Sequence, residues 1–214
     1  MQLITEPYLT QVSRWPKTGR HILAQYDDHL IVVYQAYRPA IAEFALTNGY
    51  LGGEFSFDRM SWIKPNFLWM MYRSEWGTKT GQEVVLAIWI KRSGFDEILR
   101  AAVHSSFIPE LYANTSVWQK ALKQSQVRLQ WDPDHHSSGA KLERRAIQLG
   151  LRSHMLAAYA KDWILNIEDI SGFVQKQRQK IKSGCEQLIT PQETVYSVFD
   201  SETQEKLGLS AWIE

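Results

Sequence analysis

The chain has 214 residues, of which 44% are hydrophobic and 22% are charged, a composition typical of globular proteins rather than disordered ones. Its 24 basic and 23 acidic residues give a net charge of +1, which argues against wholesale electrostatic binding to nucleic acid or membranes but leaves room for a local basic patch. Cys185 is the single cysteine, so no intrachain disulfide is expected and a reducing compartment is favoured. We expect a soluble, cytoplasmic protein with no signal peptide, transmembrane helix or membrane partner.

The first recognisable elements are strands and a short helix. Residues 20–37 predict a β-hairpin with a turn at 27–29, because LIVVYQAY is rich in β-branched and aromatic residues. Pro39 suits the first position of a helix, and Asn48-Gly49 is a signal for its end.

A second, buried helix is predicted from Pro65 to about residue 74, because the segment is apolar on nearly every side. The almost unbroken apolar run EVVLAIWIK (83–91) predicts a central strand. Irregular mixing of strands and helices favours a single α+β domain over residues 1–214, with a mixed or mainly antiparallel sheet and flanking helices. Further helices are predicted from 93 or 94 to 103 and over 116–125, 153–165 and 169–182, and further strands over 127–133 and 144–151.

An aromatic and basic segment, residues 55–82, is the most informative part of the sequence. Within its helix, Trp69, Tyr72, Arg73 and Trp76 have the spacing i, i+3, i+4, i+7 and are predicted to share one face. Such a face can stack on a flat ring and bind an anion, and Lys64 and Lys79 add charge from the flanking loops. The alternative is that these aromatic residues belong to the core and that Arg73 makes an ordinary ion pair.

A second candidate lies on the strand 127–133. Arg128, Gln130 and Asp132 alternate along it and are expected on one face, which indicates either a polar site or a solvated face. Gln148 stands among apolar neighbours, so its amide needs hydrogen-bond partners if it is buried.

No metal is expected. His135 and His136 in DPDHH are adjacent, and adjacent histidines are poorly spaced for a tetrahedral ion. The basic run 176–182 fits a solvated helix face better than a phosphate site. Gly-rich phosphate loops, GxSxG, HExxH, CxxC and EF-hand patterns do not occur in the sequence.

Four blocks of the sequence resemble an uncharacterised family, domain-of-unknown-function family 4291, which is found in bacteria and fungi. They are IVVYQAYRPAIAEFAL, FSFDRMSWIKPNFLWMMYRSEWGTKTGQE, VRLQWDP and RRAIQLGL. The resemblance covers residues from about 20 to 182 and leaves 183–214 as a C-terminal extension. It supplies no established activity.

The order of elements is also distantly similar to the ADP-ribosyltransferase superfamily, which implies a split sheet and binding of NAD. In that resemblance Gln35 or Tyr37 falls near the residue that holds NAD, and Tyr72 is the aromatic that stacks on nicotinamide. Gln148 stands near the catalytic glutamate. The sequence departs from that pattern, because the first position is neither His nor Arg and because a glutamine carries no charge to stabilise an oxocarbenium-like transition state.

Three functions remain as hypotheses. The first is an ADP-ribosyltransferase-like domain that binds NAD or a related nucleotide and transfers ADP-ribose or has lost that transfer. The second is a module that stacks the bases of RNA or single-stranded nucleic acid and contacts phosphates. The third is a non-catalytic domain for a small molecule or a protein. Under the first, the catalytic candidates are Gln35, Tyr72 and Gln148, and the ligand-binding candidates are Tyr37, Lys64, Trp69, Arg73, Trp76, Lys79, Arg128, Gln130 and Asp132.

Overall fold

Short helices and strands are mixed along the chain in the computed structural model, which describes residues 1–212 and has the expected α+β architecture. The strands are β1 (Thr5–Pro7), β2 (Leu23–Ala24), β3 (Leu30–Tyr37), β4 (Ser61–Ile63), β5 (Val84–Lys91), β6 (Ala102–His104), β7 (Val127–His135), β8 (Lys141–Leu151), β9 (Ile164–Asp169), β10 (Ile189–Pro191) and β11 (Thr194–Val195). The helices are α1 (Tyr8–Val12), α2 (Pro39–Asn48), α3 (Phe67–Ser74), α4 (Arg92–Ala101), α5 (Thr115–Gln124), α6 (Ser153–Ala158), α7 (Ser171–Ile181) and α8 (Ser201–Leu207), and Tyr159–Trp163 is a π-helical turn.

A three-stranded antiparallel sheet, ordered β3-β5-β9, lies at the centre of the core. Ile88 and Ile90 of β5 belong to one apolar cluster, whereas Ala87 and Trp89 belong to a second cluster on the other side. Because both faces of the strand are buried, its sequence shows no alternation of apolar and polar residues. The prediction that 83–91 forms a central strand is therefore confirmed.

A four-stranded sheet, ordered β4-β8-β7-β6, has one apolar and one polar face. Ile63, Leu129 and Leu149 are paired in register across β4, β8 and β7 and are fully buried in the core. The next residues along the strands point to the opposite face, which is where the polar side chains of the predicted strand 127–133 lie. The pairing register thus separates core residues from candidate site residues.

The two sheets meet at one backbone contact. The Tyr34 amide of β3 donates a hydrogen bond of 2.7 Å to the carbonyl of Lys64, just after β4. This single bridge joins the edges of the two sheets and leaves a cleft beside it.

Three sequence predictions differ from the structure. The hairpin over 20–37 is reduced to one bridge, Tyr26 to Ile31, because β2 pairs with β11 and β3 pairs along its whole length with β5. The helix over 153–165 ends in the π-helical turn, and β9 begins at Ile164. The face expected to carry Trp76 is interrupted, because Glu75 and Trp76 have positive φ angles of 53° and 58° that end α3.

The C-terminal segment packs onto the core. Tyr196 and Leu207 are buried there, and the indole N–H of Trp131 donates to the Leu207 carbonyl at 3.0 Å. Glu193 is also buried, and its carboxyl oxygens accept hydrogen bonds from the Phe67 amide at 2.6 Å and the Asn66 side chain at 3.0 Å. This contact fixes the N-terminus of α3. None of the helices in the part of the chain described is long and apolar enough to span a bilayer.

Candidate functional site

A polar cleft of about 440 Å³ lies at the junction of the two sheets. This volume is within the usual range for a small-molecule site. A second cavity of about 380 Å³ shares Tyr37, Arg59 and Ser61 with it and therefore lies next to it. Eight of the predicted site residues line the first cavity: Gln35, Tyr37, Lys64, Trp69, Arg73, Gln130, Asp132 and Gln148.

Helix α3 brings an indole and a guanidinium to this cleft. Its first turn is capped by Asn66, whose side-chain oxygen accepts a hydrogen bond of 2.7 Å from the Trp69 amide. Trp69 and Arg73 are one helical turn apart and both line the cleft, as their i, i+4 spacing predicts. Trp69 is nonetheless only 4% exposed, so its ring is a wall of the cleft rather than an open platform.

A carboxylate held by two amides forms the floor of the cleft. Gln130 and Gln148 are directly paired across β7 and β8. Gln130 Nε2 donates to Asp132 Oδ1 at 2.8 Å, and Gln148 Nε2 donates to Asp132 Oδ2 at 2.7 Å. Gln148, which the distant resemblance places near a catalytic glutamate, therefore has a carboxylate beside it, that of Asp132 on the neighbouring strand β7.

A hydrogen-bond network orients Gln35 at the opposite wall. Its Nε2 donates to Ser61 Oγ at 3.0 Å and to the Trp62 carbonyl at 3.1 Å, and its Oε1 accepts from Tyr159 Oη at 2.7 Å. The Tyr37 and Ser61 hydroxyls are 3.2 Å apart. Because both ends of the Gln35 amide already have partners, its position is fixed before any ligand enters.

Lys64 is the most unusual charged group of the cleft. The residue is only 6% exposed, and no carboxylate in residues 1–212 lies within 4.0 Å of its amine. Burial, and to a lesser extent the nearby Arg73 guanidinium, lower the pKa of the Lys64 amine to about 8, and Asp132 opposes this shift. A buried amine with such a pKa is a feature of functional sites more often than of structural ones.

Four predicted site residues lie outside the cleft. Tyr72 is 43% exposed and stacks on His135 at a ring-centroid distance of 3.6 Å. Trp76 packs edge-on against Phe67 at 6.0 Å. Lys79 is exposed on the loop after α3. Arg128 lies on the polar face of β7, two residues before Gln130.

Sequence analysis did not assign Arg59, Ser61, Trp62 or Tyr159 to the site. Arg59 lies just before β4, Ser61 and Trp62 belong to β4, and all three line the cleft, whereas Tyr159 acts through Gln35. Gly150 explains how Trp62 approaches, since a β-carbon there would lie 3.0 Å from the Trp62 ring.

Metal chemistry finds no support in the geometry of residues 1–212. No three His, Cys, Asp or Glu side chains among them are grouped so that they could hold an ion. His135 is buried between β7 and α3, where it stacks on Trp69 and Tyr72, and burial lowers its pKa.

Comparison with known proteins identifies the family but not an activity. A search of curated proteins finds no significant match. The family described as "Domain of unknown function (DUF4291)" matches residues 21–196, which include every residue that lines the cleft. The resemblance to ADP-ribosyltransferases receives no support from these comparisons and stays a prediction. Because the match covers most of the sequence, the chain belongs to the DUF4291 family.

Proposed function

We propose that the cleft binds NAD or a related nucleotide and acts on the bond between ribose and base. The observation that carries the proposal is the presence of three cations, one carboxylate and two indoles around a single cavity. The cations are Arg59, Lys64 and Arg73, the carboxylate is Asp132, and the indoles are Trp62 and Trp69.

The charge balance of the cleft favours a ligand with phosphate groups. Three basic side chains face one acidic side chain there, although the chain as a whole has a net charge of only +1. The four ion pairs formed within residues 1–212 involve other basic residues, so the cleft cations have no carboxylate partner within 4.0 Å. Phosphate oxygens would supply a negative partner for the buried Lys64 amine and would replace water at the exposed Arg73 guanidinium.

Asp132 supports a reaction at the ribose. In hydrolysis of NAD, water forms a bond to the anomeric carbon and releases a proton to solvent, while the C–N bond breaks and nicotinamide leaves as a neutral base with the bonding electron pair. Positive charge develops on the sugar during this step, and a fixed carboxylate stabilises that charge. Gln130 and Gln148 hold the Asp132 oxygens in place before a substrate arrives. Asp132 is thus proposed in the role that the distant resemblance gives to a glutamate, with Gln130 and Gln148 holding its carboxylate and Gln35 proposed to contact the ribose.

The nucleic-acid hypothesis has weaker support from the geometry. It requires aromatic rings open on one face, yet Trp69 is buried and Tyr72 already stacks on His135. Salt-dependent binding of single-stranded RNA with no response to mononucleotides would favour it instead.

The test is a thermal-shift titration with NAD and ADP-ribose, combined with chromatographic detection of nicotinamide release. A ligand at about 100 times its dissociation constant stabilises a protein by about 2.7 kcal/mol, which a melting curve resolves. Asp132→Asn is expected to retain the shift and to lose at least about 100-fold in release rate, in line with the loss of one charge-stabilising group. Asp58→Asn, at an exposed position, is the matched control. Absence of any shift with NAD, ADP-ribose and AMP would refute the proposal.

A further inference from the structure

Lys64 is held at the backbone bridge between the two sheets. Its carbonyl accepts the hydrogen bond from the Tyr34 amide, and Pro65 restricts the backbone that follows. The side chain of Lys64 lines the cleft and is 6% exposed. The amine is therefore confined to the cleft.

Two charged groups act on this amine, the Arg73 guanidinium from α3 and the Asp132 carboxylate from β7. The two oxygens of Asp132 already accept hydrogen bonds from Gln130 and Gln148. Arg59, from the segment before β4, is a further cation of the cleft but lies near Tyr37, whose hydroxyl pKa is raised by burial. Arg73 thus opposes the charge of Lys64, and the carboxylate that favours this charge already has hydrogen-bond partners.

The ring of Trp69 forms a wall of the same cleft, and no acceptor among residues 1–212 pairs with its buried indole N–H. Buried donors without acceptors are rare in native proteins and call for an explanation. An anion with several oxygens beside Lys64 would supply a negative partner for its amine.

We propose that Lys64 is a proton-linked receptor for the phosphate groups of the ligand, so that ligand binding carries a proton into the cleft. The inference rests on the proposed function for the identity of the ligand, but the anion site stands on the Lys64 side chain, which lines the cleft and has no carboxylate of residues 1–212 within 4.0 Å of its amine. In the free protein the amine is partly neutral near pH 8, since its pKa is about 8. A bound phosphate favours the charged form and raises that pKa.

The linkage makes two quantitative predictions. With a pKa of about 8, about half of the free protein is neutral at pH 8, so binding takes up about half a proton there and close to one proton at pH 9. At pH 6.5 the amine is already charged, and uptake falls almost to zero. Affinity therefore decreases above pH 8, approaching about tenfold per pH unit.

The experiment is isothermal titration calorimetry with ADP-ribose at pH 6.5, 8 and 9, in pairs of buffers with different ionisation enthalpies. ADP-ribose suits the purpose because its diphosphate diester does not titrate in this range. Lys64→Arg keeps the charge at all three pH values, so binding is expected with no proton uptake and with affinity independent of pH. Lys79→Arg, at an exposed lysine of the same segment, is expected to behave as wild type.

Each outcome decides the inference. Binding to the wild-type protein without proton uptake at pH 8 and 9 overturns it, whether or not the Lys64 variant folds. Uptake that persists in a folded Lys64→Arg or Lys64→Met protein also overturns it. A parallel titration with sulfate, which has no nucleoside, separates the two proposals. Sulfate binding with Lys64-dependent uptake, and no binding of ADP-ribose, supports the anion site and refutes the nucleotide. Failure of both ligands to bind overturns the anion site as well.

Discussion

Lys64 and Arg144 are both buried basic residues, 6% and 5% exposed, but the protein neutralises only Arg144. Arg144 donates from Nε and Nη2 to Asp134 Oδ2 at 2.8 and 2.6 Å, and from Nη1 to the Pro16 carbonyl at 2.6 Å. Its guanidinium also lies 5.2 Å from the Trp15 ring centroid. Lys64 has no carboxylate of residues 1–212 within 4.0 Å.

This difference distinguishes a structural cation from one available to a ligand. The donors of Arg144 are occupied by partners from β7 and the N-terminal segment, so its charge holds parts of the fold together. Lys64 is desolvated by burial without an ion-pair partner among residues 1–212, and we propose that its partner is an incoming anion. Substitutions that break the Arg144 pair should therefore lower the stability of the protein, and substitutions of Lys64 should weaken ligand binding.

The largest expected effect is on stability at the Arg144 pair. Asp134→Ala leaves a buried guanidinium without its carboxylate, and breaking such a pair costs about 3–5 kcal/mol. Chemical denaturation at pH 7 would measure this, with Asp58→Ala as an exposed control expected to change the free energy of unfolding by less than about 0.5 kcal/mol. Equal effects of the two variants on the free energy of unfolding would contradict a structural role for the Arg144–Asp134 pair.

We expect the ionisation of Lys64 to make the free energy of unfolding depend on pH in a defined direction. Its pKa falls from 10.5 in the unfolded chain to about 8 in the folded protein. Between these values the unfolded state binds more protons, so the free energy of unfolding rises with pH by about 3 kcal/mol from this group. This contribution is measured by determining the free energy of unfolding of wild type and of Lys64→Met at several pH values in that range and taking the difference. A flat difference curve would contradict the lowered pKa.

A smaller effect is expected at pH 7 for Lys64→Met. The substitution keeps most of the side-chain volume and removes an unpaired buried charge, so the free energy of unfolding is expected to rise by about 1–3 kcal/mol. Lys79→Met, at an exposed position, should stay within about 0.5 kcal/mol of wild type. A marked destabilisation by Lys64→Met, detected in thermal melts, would mean that the amine has a structural partner.

Local signals in the sequence account for much of the fold. Pro39 and Gly49 bound α2 as predicted, because proline suits the first helical turn and Gly49 has a φ of 75° at the C-cap. The buried strand β5 is evident from its apolar run. The helix predicted through residue 165 is wrong at its end, since tertiary pairing of β9 with β5 overrides the helical periodicity there.

The site was predictable in its residue types but not in its arrangement. The Asp132–Gln148 hydrogen bond depends on the register of two strands, and a shift of one residue would turn Gln148 to the other face. Trp76 leaves the predicted helix face because the backbone turns at Glu75, a change that spacing alone does not reveal. Glu193, which binds the start of α3, is separated from Phe67 by 126 residues and carries no motif.

The most direct test of the account is the pKa of Lys64 itself, measured by nuclear magnetic resonance of its labelled side chain with and without ADP-ribose. We expect a value near 8 in the free protein and an increase of at least about two units at saturation, because a phosphate neighbour favours the ammonium. A value near 10.5 in the free protein, or no change at saturation, would contradict the view that Lys64 is a buried cation reserved for a ligand.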